Sequence, residues 1–336
     1  MQTFNYLCTM ITNDRYRLPA EWEPQSGVQL TWPHEATDWA PMLDEVLATY
    51  EVMAREIRRR EPLLVAPPPT NDTWARDHGF ITLMQGGDAA GVRLLDFCFN
   101  GWGEKFPATL DNALNRRLYD EGHFRGEYVN HLDFVLEGGS IESDGRGTIF
   151  TTSSCLLAPH RNQPLTRDEI EQRLKEYLCA DRVLWIDHGH LAGDDTDGHI
   201  DTLVRICPDD TLLYVGCDDT ADEHYDDLHL MEEQLRTFRT ADDRQYRLMK
   251  LPMPRPIYDT DGERLPATYA NFLVVNGAVL CPTYGQPDTD NEALRIIRQA
   301  FPGRDIVGID CQPLIRQHGS LHCCTMQFPA GVLINT

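Results

Sequence analysis

The strongest constraint on this chain is a recurrence. An apolar strand, a helix with apolar residues at helical spacing, and a second apolar strand follow one another five times. The first copy reads "GVQLTWP", "APMLDEVLATYEVMAREIRRR" and "PLLVAPP". The second has "FITLMQ" and "VRLLDFCFN" before "LDNALNRRLYDEG" and "YVNHLDFVLEGG". "GTIFTTSSCLL", "TRDEIEQRLKEYL" and "RVLWIDHG" form the third, and "TLLYVGC", "YDDLHLMEEQLRTF" and "YRLMKLPMP" the fourth. The fifth is "ANFLVVNGAVLCPTYG", "NEALRIIRQAF" and "DIVGIDC". Thr166 with Glu169 three residues on has the spacing of a helix capping box. Near-equal units with no Gly/Ser-rich linker argue for one closed, radial α/β domain over residues 1–336 rather than two doubly wound halves. Residues 1–15 are weakly patterned and are expected to carry little structure.

In a radial fold the segments that follow each unit meet at a common axis. Here those segments are "NDTWARDHG", "EGGS", "GDDTDGHIDT", a Pro-rich stretch, and "HGSLHCCT". They hold the chemically capable side chains. Read as extended chain, His199 and Asp201 share one face, a proton carrier beside a carboxylate. Taken alone, such a dipeptide is more often a surface pair. Asp77 next to Arg76, and Glu137 before two glycines, also have bland readings, as an ion pair or cap and as a solvated turn. "HCC" leaves a nucleophile, half a metal site, buried core or a strained disulfide open.

Composition removes several classes. Asp plus Glu is 53 against 30 Lys plus Arg, a net charge of −23, a field that repels nucleic acid and anionic membranes and draws small cations. No apolar run is long enough for a membrane helix, and no signal peptide is evident, so a cytoplasmic location is expected. The ten cysteines include no CxxC pair and read as reduced thiols. Cys98, Cys155, Cys207, Cys217 and Cys281, in apolar strand-like runs, read as small core residues. His188, His190, His199, His322, Cys323 and Cys324 lack any recognised zinc spacing. "DDTDG" is not a calcium loop, since Ile206 stands where the closing Glu belongs. No metal and no cofactor is expected.

Two Asp, one Glu, one His and one Cys at converging junctions suit a guanidinium. Its fixed fork of N–H donors is held by two carboxylates, while a thiolate attacks the central carbon. The segments "LPAEWEPQSGVQLTWPH", "NDTWARDHG", "LDFCFNGWGEKFP", "LEGGSIESDGRGTIFTTSSCLL", "GDDTDGHID" and "GSLHCCT" together resemble the agmatine deiminase family, also called bacterial-type peptidylarginine deiminases, of the guanidine-modifying pentein superfamily. The resemblance spans nearly the whole chain. It implies a five-bladed α/β propeller around a central site, with Cys323 as nucleophile and His199 as acid/base. It further implies Asp77 and Asp201 as guanidinium clamps, Glu137 supporting the His, Trp74 as a pocket aromatic, and Asp195 or its neighbour Asp194 near the distal amine of agmatine. The reaction so implied is hydrolysis of agmatine to N-carbamoylputrescine and ammonia without a cofactor. A peptidylarginine or free-arginine deiminase, with Arg255 or Arg264 for the carboxylate, and a non-catalytic guanidinium or polyamine binder stay open as alternatives, as does assembly into a homo-oligomer. The chain departs from the family pattern at Phe80, where Pro is usual, and at His318 and Ser320, where Gly and Asn are common. Cys324 falls on a variable slot, and strand alternation is expected to turn it, with His322, away from the site.

Overall fold

A computed structural model describes residues 15–86 and 91–334. Of the expected weakly structured start, residues 1–14 lie outside the described residues; Arg15 pairs with Asp181 at the surface.

The described strands form five separate sheets, four of three strands and one of four. Each is built to one plan. A central strand has an antiparallel partner on one side and, across a helix, a parallel partner on the other. In the second sheet Gly91–Cys98 pairs antiparallel with Ile81–Gln85 and parallel with Glu127–Val135, which lies beyond the helix Thr109–Asp120. The third uses Ile141–Ser143, Thr148–Thr152 and Arg182–Ile186; the fourth Val204–Cys207, Thr211–Val215 and Arg247–Leu251; the fifth Leu273–Val275, Ala278–Thr283 and Asp305–Asp310. Parallel neighbours need a crossover of this kind, because a tight turn can only reverse the chain.

The first sheet takes its antiparallel strand from the other end of the chain. Thr325–Pro329 pairs with Gln25–Thr31, whose parallel neighbour is Leu63–Ala66. Sequence patterning found the five helices and their parallel strands but not this closing strand or the short Ile141–Ser143. Ile141–Ser143 is too brief to show a period of two, and Thr325–Pro329 pairs with the opposite end of the chain, which no local pattern reveals.

Helices dock by one apolar face. On Leu43–Arg58 the residues Val46, Tyr50, Met53, Ala54 and Ile57 are buried, at spacings of three and four. The capping box at Thr166 is formed, with the Thr166 N–H donating to Glu169 Oε2 at 2.8 Å. Cys155, Cys207 and Cys281 are buried as expected, whereas Cys98 and Cys217 are partly exposed. Cys155 is not in a strand: it sits in the short helix Ser153–Leu156 that follows Thr148–Thr152. Among the described residues no helix is long and apolar enough to cross a membrane.

Candidate active site

Each passage from one sheet to the next ends in a tight turn, and these turns touch. They are Ala75–His78, Gly138–Ser140, Ile200–Thr202, the segment before Leu273, and residues 321–324. The Arg76 N–H donates to Cys323 O at 3.1 Å, and the Gly139 N–H to Asp77 Oδ1 at 3.1 Å. Thr268 Oγ1 donates to Thr202 O at 2.8 Å, and the His322 N–H to Asn271 O at 3.2 Å. The two glycines of "EGGS" are required by crowding. A Cβ on Gly138 would lie 2.2 Å from Arg76 O. One on Gly139 would lie 2.6 Å from His199 Nδ1 and 2.8 Å from Asp77 Oδ1.

The first and last of these turns line a cavity of about 160 Å³. Cys323, Asp77, Trp74 and Asp195 face it, while His199, Asp201 and Glu137 are fully buried outside its lining. Cys323 Sγ is 3.9 Å from Asp201 Oδ2 and 3.4 Å from Asn271 Oδ1, and His199 Nδ1 is 3.6 Å from Asp77 Oδ1. The walls include Trp102, Phe106, Gly319 and His318; a side chain on Gly319 would run into the Trp74 ring at 2.2 Å. The lining carries four carboxylates, of Asp38, Asp72, Asp77 and Asp195, and no Lys or Arg.

The two presumptive clamps are held differently. Asp77 receives a hydrogen bond from Trp102 Nε1 at 3.1 Å and one from the Gly139 N–H. Burial raises its carboxyl to about 6; His199 pulls it down, and Asp201 and Glu137 push it up. Asp201 is as deeply buried, but His322 Nδ1 lies 2.7 Å from its Oδ2. His322 Nε2 in turn is 2.9 Å from Glu21, which pairs with Arg205 at 2.6 Å. Those partners outweigh burial and lower the Asp201 carboxyl. Burial also opposes charge on His199, yet the nearby Asp77 prevails and the imidazole is raised well above its usual value. Burial, with Asp201 and Asp77, pushes the Cys323 thiol well up.

Several expectations need correction. His199 and Asp201 do not lie on an extended segment. His199 precedes a 3₁₀ turn, Ile200–Thr202, which swings both side chains to the axis. Residues 321–324 are likewise a turn, and the strand begins only at Thr325. Strand alternation therefore fails there: His322 points to Asp201 instead of away. Cys324 is buried in the largest apolar cluster, as expected. Asp194 does not face the cavity. Its oxygens accept from the N–H groups of Thr196 and Gly198, at 3.2 and 2.6 Å, and fold its own loop, which leaves Asp195 as the acid of that pair at the cavity wall. Glu137 makes no hydrogen bond to His199; its Oε1 accepts from Arg161 Nε at 2.8 Å. Arg255 is paired with Asp288, and Arg264 with Asp222 and Glu223.

Five contributors escaped the sequence reading as site residues: Asn271, Arg161, Trp102, and the pair Glu21 and Arg205. For Arg205 a signal existed. A cation inside the apolar run "TLVRIC" has to meet a buried carboxylate, and Arg205 meets Glu21 and Glu142. Of the residues weighed as metal ligands, only His199 belongs to a cluster of three or more such side chains among the described residues. Its companions are Glu137 and Cys155.

The profile of the Porphyromonas-type peptidyl-arginine deiminase family matches residues 17–329. The chain belongs to that family. The agmatine deiminase of Stutzerimonas stutzeri (strain A1501) is 32% identical over 363 residues, covering 94% of this chain and 96% of the relative. Among solved structures, a Porphyromonas gingivalis protein provisionally assigned as an arginine deiminase is 49% identical with a TM-score of 0.90, covering 95% of this chain and all of that one. A cysteine-to-serine variant of C. jejuni agmatine deiminase with substrate bound is 36% identical with a TM-score of 0.87, covering 94% and 97%. The α/β fold of this family member thus matches that of solved agmatine deiminases, as the sequence resemblance implied.

Proposed function

We propose that this chain is an agmatine deiminase, hydrolysing agmatine to N-carbamoylputrescine and ammonia. One observation carries the reading: a buried thiol, Cys323, 3.9 Å from the Asp201 carboxylate, lines a cavity whose walls have four acids and no Lys or Arg. The agmatine deiminases among its relatives support it. Agmatine is a dication without a carboxylate. Free arginine needs a cation for its carboxylate, and both arginines considered for that task are paired elsewhere. Asp195 faces the distal amine.

Asp77 and Asp201 hold the guanidinium edges through charge-assisted hydrogen bonds. The bound cation offsets the two carboxylates that help burial keep Cys323 protonated, and the thiol gives its proton to solvent. The thiolate forms a C–S bond to the guanidinium carbon. Protonated His199 gives its proton to one nitrogen, the C–N bond breaks, and ammonia leaves an S-alkylthiouronium. Neutral His199 then takes a proton from water as the hydroxyl adds to the same carbon. Collapse breaks the C–S bond as the added hydroxyl gives its proton to solvent, which restores the thiolate and releases the ureido product. No cofactor enters this scheme. Holding a delocalised, poorly electrophilic cation rigidly against sulfur is the main catalytic task.

The architecture is read in the same way. Five sheets of one plan, hydrogen bonds between successive turns, and a last strand that completes the first sheet support a pseudo-fivefold propeller forming one domain. The free cysteines among the described residues support a reducing, cytoplasmic setting, and the net charge of −23 argues against nucleic-acid or membrane partners.

The deciding experiment offers metal-free protein agmatine, arginine and a peptidylarginine and reads ammonia. Agmatine is expected to be turned over far faster than either. Release from none of the three would overturn the deiminase reading, and preference for arginine would overturn the substrate.

A further inference from the structure

Three donor atoms without a hydrogen bond meet beneath the cavity. Glu137 Oε2 and both ring nitrogens of His199 make no hydrogen bond. Cys155, carried in by the helix Ser153–Leu156, lies beside them, and one ligating atom from each residue lies within 4.8 Å of the other two. All three side chains are fully buried. Polar atoms left without a hydrogen bond in such a place are costly, and the contacts of His199 with Asp77 and Cys155 leave Glu137 Oε2 without a partner. The surrounding charges are Asp77, whose Oδ1 is 3.6 Å from His199 Nδ1, and Arg161 on the other oxygen of Glu137.

We propose that Glu137, Cys155 and His199 form an inhibitory site for a thiophilic divalent metal ion, zinc first. One sulfur, one imidazole nitrogen and one carboxylate oxygen are a zinc-type donor set, whereas calcium and magnesium take oxygen. Zinc holds such ligands at about 2.0–2.3 Å, which sets ligand atoms roughly 3.5 Å apart in a tetrahedron. The trio reaches this by closing about 1 Å. On binding, the Cys155 thiol and the His199 imidazolium each give a proton to solvent, and sulfur–metal and nitrogen–metal bonds form. Because binding releases protons, it strengthens with rising pH. A metal on the imidazole lone pair stops His199 from carrying a proton. The inhibitory consequence rests on the deiminase reading; the binding does not.

Cobalt(II) separates the two. In metal-free Cys323→Ser protein, added cobalt is expected to give a thiolate-to-metal charge-transfer band at one equivalent, which zinc removes. Cys155→Ala in that background is expected to lose the band, with Cys155→Ser as a second, size-matched variant and a thermal melt as the folding control. With Cys323 intact, zinc is expected to block ammonia release, and Cys155→Ala to weaken this block by roughly tenfold or more, the scale of losing a metal partner. No band in the Cys323→Ser protein overturns the site, as does a band that survives loss of Cys155 or equal zinc inhibition with and without it. Protein that releases no ammonia from any substrate yet gives the Cys155-dependent band sinks the function and keeps the metal site.

Discussion

Replacing Trp102 with Phe tests how Asp77 is kept ionised. The Trp102 indole N–H donates to Asp77 Oδ2 at 3.1 Å. Phe keeps an aromatic ring against Trp74, Phe99 and Phe106, whose centroids lie 6.3, 5.0 and 5.6 Å away, and removes only the donor. A hydrogen bond to a charged group contributes about 1.5–3 kcal/mol. With partial replacement by solvent, the loss is about 1.4 kcal/mol, or roughly one pKa unit. The Asp77 carboxyl, already raised to about 6, would then titrate near about 7. Asp77 has to be a carboxylate to hold the guanidinium, so kcat/KM falls as pH drops through that value. The profile of kcat/KM reports the free enzyme. His199, raised well above its usual range, stays protonated across this acid region, and Asp201, lowered, titrates below it. At pH 6 the variant should therefore lose about fivefold in kcat/KM, approaching tenfold at lower pH and almost nothing at pH 8. The assay is ammonia release from agmatine across pH. A loss of the same factor at every pH, or an acid limb that stays put, would refute the hydrogen-bond argument and leave Trp102 as a mere wall.

Three further outcomes follow from the geometry. Cys323→Ser should abolish ureido product, while Cys324→Ser, altering a residue packed in the apolar core, should keep much of the turnover; an exchange of these results would sink the assignment of the nucleophile. Asp195→Asn should raise KM for agmatine roughly tenfold, the scale of one hydrogen bond to a charge, yet leave KM for an alkylguanidine without a distal amine unchanged. Equal effects on both substrates would remove Asp195 from the amine site. Arg161→Gln breaks pairs to Glu137 at 2.8 Å and Asp197 at 2.7 Å from a guanidinium that is 1% exposed. It leaves Glu137 buried without its cation, so denaturant unfolding should show a loss of about 3–5 kcal/mol.

What could be read from the sequence was what is local. Five amphipathic helices announce themselves within a few turns, as Leu43–Arg58 does, and short β-rich runs bracket them. The junction segments that hold Asp77, Glu137, His199 and Cys323 stood out because one plan repeated five times predicts where its ends meet; the roles proposed for those residues came from the family resemblance. The failures came from two sources. One was applying strand alternation to turns, which misplaced His322 and gave His199–Asp201 the wrong backbone. The other was long-range pairing. Nothing near Arg161 in the chain points to Glu137, and Asn271 in "YANFL" looks like a polar break in an apolar run. Asp194 and Asp195 were indistinguishable as neighbours, and only the folded loop uses one for its own backbone and leaves the other at the wall.

The two carboxylates proposed to hold the guanidinium are tuned in opposite directions by what surrounds them. Asp201 leans on a chain of His322, Glu21 and Arg205, so its charge survives burial. Asp77 has two N–H donors and a histidine 3.6 Å away, and burial wins. Around pH 6 the free site therefore holds one firm negative charge and one fractional charge, beneath a thiol that both of them keep protonated. A guanidinium changes all of this at once: it completes the ionisation of Asp77 and removes the field that opposes the thiolate. A ureido product carries no such charge. When it replaces the guanidinium, neither carboxylate retains a cationic partner in the product, and the thiol becomes favourable again. The charge lost in the reaction is thus also the signal that arms the nucleophile for substrate, disarms it afterwards, and loosens the site's hold on what it has made.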